Sequence, residues 1–518
     1  MARRKGREHR GESADALPGP PLGSSESRAP RSSTRWIIVA VLAAVVALAV
    51  YWGYTRTRSI DRTASLPALP ELSKEPPVLR AHLTEADGAV RTQPASVDAV
   101  AALCLAYHAD MFYEQARQCY ALAEEMDGAS WRWVYLQALA QGEAANSEAL
   151  VDGLRRVTNL APDFSPAWWR LGDAEFKARR YDRAAEAWQR VLSLPAPAPA
   201  SPPPANAGSP GRVPVAPMAA YAILGLARLA LIQGDADRAR AMLEDVTASA
   251  PRFGPAFRLL GDAYSVLKRP EEAARAIRRA DRSPAYDPYV DPTMETLVLA
   301  SRNATFLLQQ AASSDVSTNG VWREFLIRRA LEFDPTNTDA LSELGTLLRV
   351  LQRYEEALEQ FEGYRRLVPD DVQVFIDIGR CLTGLGRFAE AEQALRRALE
   401  DFDDGNTRYA LALALDRSGR LAEAVVEYRR ALERNPNHGD ALNNLGVAFV
   451  RQGQLDLAAR QFERLVAADP DNADAHTNLG VVFLTQGARD LASREFKAAL
   501  SLSPDHALAR QGLKKVEQ

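Results

Sequence analysis

Apolar positions are distributed along this chain in two ways. Residues 36–54, WIIVAVLAAVVALAVYWGY, form one uninterrupted run without a charge. From about residue 97 onward, apolar and small residues instead recur in register over blocks of 34 positions. The clearest pair of blocks is 439–472 and 473–506. Leu445-Gly446 aligns with Leu479-Gly480, Phe449 with Phe483, and Gly453 with Gly487. Ala458 aligns with Ala492, Phe462 with Phe496, and Pro470 with Pro504. A period of this length predicts one helix–turn–helix unit per block, each too small to bury its apolar face except against its neighbours.

The same frame runs upstream through 405–438, 372–404 and 338–371, and in the front half through 254–287, 220–253 and 165–197. It is weaker in 131–164 and 97–130. In 304–337 it is degenerate: Trp322 to Pro335 makes a good second helix, while the first is poorly matched. The small residues Gly446 and Ala458 mark where two helices cross closely, and the aromatics Phe449 and Phe462 fill the space between units. Asp469-Pro470 ends a helix, because proline cannot continue it and biases the residue before it away from helix.

The order Leu-Gly, aromatic, Ala, Phe, Pro resembles the tetratricopeptide repeat (TPR) family. That resemblance implies an all-α fold, a right-handed superhelix, here following one transmembrane helix. It also implies a concave face lined by first-helix side chains that holds an extended or helical peptide. Carried onto this chain, the lining residues are Ser342, Glu343, Asp377, Arg380, Tyr409, Asn443, Asn444, Arg451, Asp474, Thr477 and Asn478. Asn443, Asn444 and Asn478 are the strongest candidates, since an amide both donates and accepts and so reads a peptide backbone without demanding a sequence. In relatives an asparagine at the sixth repeat position forms a ladder along the groove. Here Asn444 and Asn478 keep it, so a ladder is expected to be short.

The resulting organisation is a basic disordered tail (1–35), a transmembrane helix (36–54), a Pro-rich linker (55–95) with one short amphipathic stretch around Val78–Val90, and N-terminal repeats (97–194). A Pro/Ala-rich insert (195–217) and further repeats (218–287) follow. Next come an irregular, degenerate segment (288–320), C-terminal repeats (321–506) and a polar capping helix (507–518). At a helical rise per residue, 36–54 spans about 28 Å, the thickness of a bilayer core. Trp36 stands at one end and Tyr51, Trp52 and Tyr54 at the other, where lipid–water interfaces favour aromatics. Residues 1–35 hold eight basic and four acidic side chains. The heavier basic flank predicts a cytoplasmic N-terminus and a repeat body outside. A signal peptide cleaved at Ala47-Leu48-Ala49 is the rival reading. Few lysines and many alanines and arginines suggest a GC-rich bacterium, hence an inner-membrane protein with periplasmic repeats.

Net charge is -4. With +4 in the tail, the remainder carries -8, which argues against nucleic acid as a partner. Cys104 and Cys119 fall on the two helices of one unit and are expected to be buried, unbridged small hydrophobes; Cys381 is expected in the core. Trp131, Trp133, Trp168, Trp169 and Trp188 are expected in the core between units. His438, His476 and His506 recur at near-repeat spacing without a metal-binding motif, and no phosphate loop or nucleophile motif occurs. The segment 283–296 holds Asp-Pro turns with Tyr286 and Tyr289, and is expected either to fold against the groove or to mark a joint between two halves. No metal, cofactor or small-molecule substrate is expected. The sequence thus predicts a non-enzymatic, membrane-anchored scaffold for envelope complex assembly or chaperone-like peptide binding. The alternatives are an accessory subunit of an envelope enzyme or of a cytochrome or polysaccharide biogenesis system, or a cytoplasm-facing adaptor.

Overall fold

The computed structural model describes residues 41, 43–51, 64–128, 130–143, 147–195, 216–283, 289–314 and 316–518. Two units separate, Met1–Asp61 and Arg62–Gln518. In the first, residues 41 and 43–51 are helical and exposed. The expected tail, residues 36–40, 42 and 52–54 of the expected span, and most of the insert 195–217 lie outside the described residues. Among the described residues no helix is long and apolar enough to cross a membrane.

The second unit consists of antiparallel helix pairs, and each frame position has a visible cause. Several first helices, and the terminal helix Ala507–Glu517, start at a residue whose side chain accepts a hydrogen bond from the backbone N–H three residues on. Asn337, Asp404, His438, Asn472 and His506 all do so, meeting the N–H groups that a helix start leaves unpaired. The two helices of a pair are joined through one left-handed residue at the fifteenth position. It is Gln352, Gly386, Gly419, Gly453 or Gly487 in the rear units, and Met111, Arg179, Gly234 or Lys268 in the front ones. At the eighth position a Cβ on Gly446 would come within 2.7 Å of the Phe462 ring, so glycine there is what lets the ring lie across the crossing.

Five pairs form a front array: Val97–Ala109 with Tyr113–Met126, Trp131–Glu143 with Ser147–Leu160, Ser165–Lys177 with Tyr181–Ser193, Met218–Ile232 with Ala236–Ser249, and Gly254–Val266 with Pro270–Asp281. Six pairs form a rear array from Ala304–Ala312 with Val316–Phe333 to Ala473–Thr485 with Arg489–Leu502, closed by Ala507–Glu517. The pair at 304–333 is a genuine unit despite its poor match to the frame: Phe306, Leu307, Trp322 and Leu326 all enter the rear core.

Two expectations change. The amphipathic stretch within the expected linker is the helix Pro77–Thr92, and it does not stand off the body: it packs Leu79, Leu83 and Val90, with Leu72, onto the first pair. Those residues share one stripe of a helix and cover the end of the array. Cys104 and Cys119 are joined by a disulfide, with Cα atoms 5.2 Å apart, inside the usual range for a bridge. Cys104 occupies the eighth position, the close crossing that glycine fills at Gly446, which brings it within reach of a cysteine on the partner helix. Cys381 is free and buried as expected, and burial pushes its thiol up to about 12.

The two arrays touch at both ends. Ser301 Oγ donates to the Ala109 carbonyl at 2.9 Å, and the Arg302 N–H donates to Asp110 at 3.0 Å. At the other end Arg278 pairs with Asp471 and Arg282 with Asp469, both at 2.6 Å. These ion pairs are partly exposed, so Arg278→Ala with Arg282→Ala is expected to cost only about 0.5–1 kcal/mol per pair, less at high salt. Urea midpoints at two ionic strengths would check this.

Candidate peptide-binding grooves

In the rear array the first helices Gly405–Arg417, Gly439–Arg451 and Ala473–Thr485 place four of the expected residues in one hydrogen-bonded line. Asn478 Nδ2 donates to Asn443 Oδ1 at 3.0 Å. Asn443 Nδ2 donates to Asn444 Oδ1 at 3.1 Å, and Asn444 Nδ2 donates to Tyr409 Oη at 3.2 Å. The rule behind it is simple: a sixth-position side chain reaches back to the fifth position of the preceding unit. All four side chains are half-buried. Each of these bonds uses one N–H of an amide that carries two. Tyr409 lies 4.8 Å from the His438 ring, centre to centre.

The line stops upstream because Ala410 stands at the next sixth position. Charge takes over there. Asp377 accepts from Gln373 at 2.9 Å and lies 3.4 Å from Arg380 and 3.7 Å from Arg349, so its carboxylate is neutralised within the array. Glu343 faces Arg323 at 3.5 Å, and burial raises its pKa. Ser342 is half-buried nearby on the helix Thr338–Val350. Arg451 is paired with Asp416, and Asp474 with His506 at 2.9 Å. Thr477 is displaced from the candidate lining. It is 1% exposed, and its hydroxyl donates to the Ala473 carbonyl at 2.8 Å, so it belongs to the core.

The histidines serve the helices. His438 and His506 cap helix starts, and His476 lies 2.7 Å from Glu495. Among the described residues no group of three or more His, Cys, Asp or Glu is placed to hold a metal ion.

The front groove is already filled. The segment from Tyr289 to Asn303 runs back along it, from the fourth pair to the first. The Tyr289 ring stands edge-on to Trp169 at 4.8 Å and near Tyr221 at 5.9 Å. Asp291 is 3% exposed. Its Oδ2 accepts from Tyr135 Oη at 2.6 Å, and that oxygen accepts from Arg170 Nε at 2.8 Å. Asp291 Oδ1 caps the helix Pro292–Ala300 by accepting from the N–H of Thr293 at 3.0 Å. Of the two readings of 283–296, the part from Tyr289 onward does both: it folds against the groove and joins the halves. Residues 284–288 lie outside the described residues. Tyr135 and Trp169 stand at the fifth repeat position and Arg170 at the sixth. They could have been found by carrying the rear-groove positions into the front half.

The tetratricopeptide repeat family model matches residues 136–202, 224–288, 409–459 and 447–507, and a second TPR model matches 351–415. An uncharacterized TPR repeat-containing protein of Arabidopsis thaliana is 31% identical over 112 residues, 20% of this chain and 14% of its own length. Anaphase-promoting complex subunit 3 of Dictyostelium discoideum is 31% identical over 88 residues, 17% of this chain and 9% of its own length. The chain therefore spans a small part of these relatives. The crystal structure of an APC/C hetero-tetramer matches 85% of this chain and 94% of its own, at 14% identity and a TM-score of 0.37.

Proposed function

We propose, on the premise that this chain belongs to the tetratricopeptide repeat family, that it is a non-catalytic scaffold holding an extended segment of a partner protein in its rear groove. The observation that carries this reading is the line Asn478–Asn443–Asn444–Tyr409. Amides spaced along a concave wall match the alternating donors and acceptors of an extended backbone, so they supply affinity with little sequence demand.

A photo-crosslinking residue at Val481, exposed on the helix of Asn478, would report on the groove. Asn444→Ala with Asn478→Ala removes two half-buried amides, at about 1 kcal/mol each. The crosslinked partner is expected to fall about tenfold or more, with helical content unchanged. Equal yields from the double variant and the parent would move the binding surface elsewhere.

The second part of the proposal concerns placement. The uncharged run 36–54 anchors the chain in the inner membrane, N-terminus in the cytoplasm, with the repeats on the periplasmic side, where they assemble envelope complexes or chaperone peptides. The run, the basic tail and the Cys104–Cys119 bridge support this, since bridges persist in oxidising compartments. An alkaline phosphatase fused after Gln518 would be active in the membrane fraction. Activity in the soluble fraction would mean a cleaved signal, and an inactive fusion would reverse the orientation.

A further inference from the structure

The front groove is lined at the same repeat positions as the rear one, yet its chemistry differs. Its centre offers a phenol, Tyr135, that donates to one carboxylate oxygen of Asp291, and a guanidinium, Arg170, that donates to the phenol oxygen and lies 3.7 Å from the same carboxylate oxygen. Beside them Trp169 and Tyr221 make an aromatic seat. An occupant without a carboxylate at that point would leave the Arg170 charge poorly compensated in a half-closed site. An occupant without an aromatic two residues earlier would leave the seat empty. Tyr289-Val290-Asp291-Pro292 satisfies both, and Asp291 also starts the helix that lies farther along the groove.

The segment does not fill its site. A cavity of about 470 Å³ remains between Leu105, Trp131, Trp133 and Phe164 on the groove side and Thr293 and Thr296 on the segment. A ligand with larger side chains at those two places would bury more apolar surface than the resident one does.

We propose that the front groove is a second peptide site, selective for segments of the form aromatic-x-Asp-Pro. The chain keeps it filled with its own residues 289–300, and a partner carrying the same pattern enters by displacing them. This does not depend on the rear groove.

The probe is a fluorescent peptide of residues 289–300, added to the full chain. A tethered competitor acts at an effective concentration on the order of millimolar. The intact chain is therefore expected to bind the probe at least about tenfold more weakly than a chain carrying Tyr289→Ala and Asp291→Ala. Adding Arg170→Ala to that chain is expected to abolish the gain, whereas Asn444→Ala with Asn478→Ala leaves it unchanged. A folded double variant that binds no better than the intact chain overturns the proposal. Should the double variant not fold, the intact chain decides. Millimolar probe is expected to accelerate amide hydrogen exchange in residues 289–303, and unaltered exchange there overturns the proposal equally.

Discussion

Trp188→Ala is expected to destabilise the front array by about 3–5 kcal/mol, the usual cost of truncating a buried tryptophan. Trp188 is 2% exposed. Its ring lies between two first helices, so close that a Cβ on Gly172 would come within 2.4 Å of it and one on Gly225 within 2.5 Å. It packs with Ala184, Val191, Ala222 and Leu229. The ring thus joins the third and fourth pairs, between which the chain passes through the insert after residue 195. A solenoid is held by nearest-neighbour contacts, so loss of one interface separates what lies on either side of it. Five tryptophans, Trp131, Trp133, Trp168, Trp169 and Trp188, lie in the front array, and the variant's fluorescence is expected to change at a lower urea concentration than its far-ultraviolet circular dichroism. A second substitution discriminates packing from a general weakening. Gly172→Ala alone is expected to destabilise, because its methyl meets the indole. In the Trp188→Ala background the same change is expected to stabilise by about 1 kcal/mol, through helix propensity and partial filling of the cavity. A sign that does not reverse would rule out this account of the glycine.

Much of this architecture was legible because the repeat frame encodes the local geometry directly. Gly446 and Phe462 occupy matched positions in the sequence and meet in space for the reason the frame implies. Asn444 and Asn478 were legible for the same reason, since position in the frame sets which wall a side chain lines. What escaped were consequences of contacts between distant units. No period marks Asp291 as the group that Tyr135 and Arg170 receive, because the partners are about 120–160 residues away and their meeting depends on the chain doubling back. The helix Pro77–Thr92 was legible as an amphipathic stretch around Val78–Val90, but its docking escaped, because nothing local says that its apolar stripe covers the end of the array. Thr477 shows the opposite error: its position in the frame was right, but a rotamer that returns the hydroxyl to the Ala473 carbonyl withdraws it from the groove.

Removing the Cys104–Cys119 bridge is expected to cost about 3 kcal/mol, the loop-closure value for a crosslink of this span. The cysteines are separated by 15 positions, and both are fully buried. The effect falls on the first pair of the front array, which has a neighbouring pair on one side and the helix Pro77–Thr92 on the other. That pair also carries Ala109 and Asp110, where Ser301, Arg302 and Asn303 attach the rear array. Loosening it therefore weakens both the end of one array and the joint to the next. Cys104→Ala with Cys119→Ala is the cleaner variant, because serines would place two hydroxyls in an apolar core. Two measurements check this. Thiol titration of the denatured, unreduced chain is expected to find one thiol, Cys381, and three after reduction. Thermal unfolding in the presence of reductant is expected to begin earlier, with the increase in hydrogen exchange confined at first to residues 77–126 and 289–303. Three thiols before reduction would mean that the cysteines stay apart, and would remove one of the supports for an oxidising compartment. One thiol, with stability that does not respond to reductant, would instead mean that the bridge forms without holding the joint, and the coupling of the arrays at this end would rest on the contacts of Ala109 and Asp110.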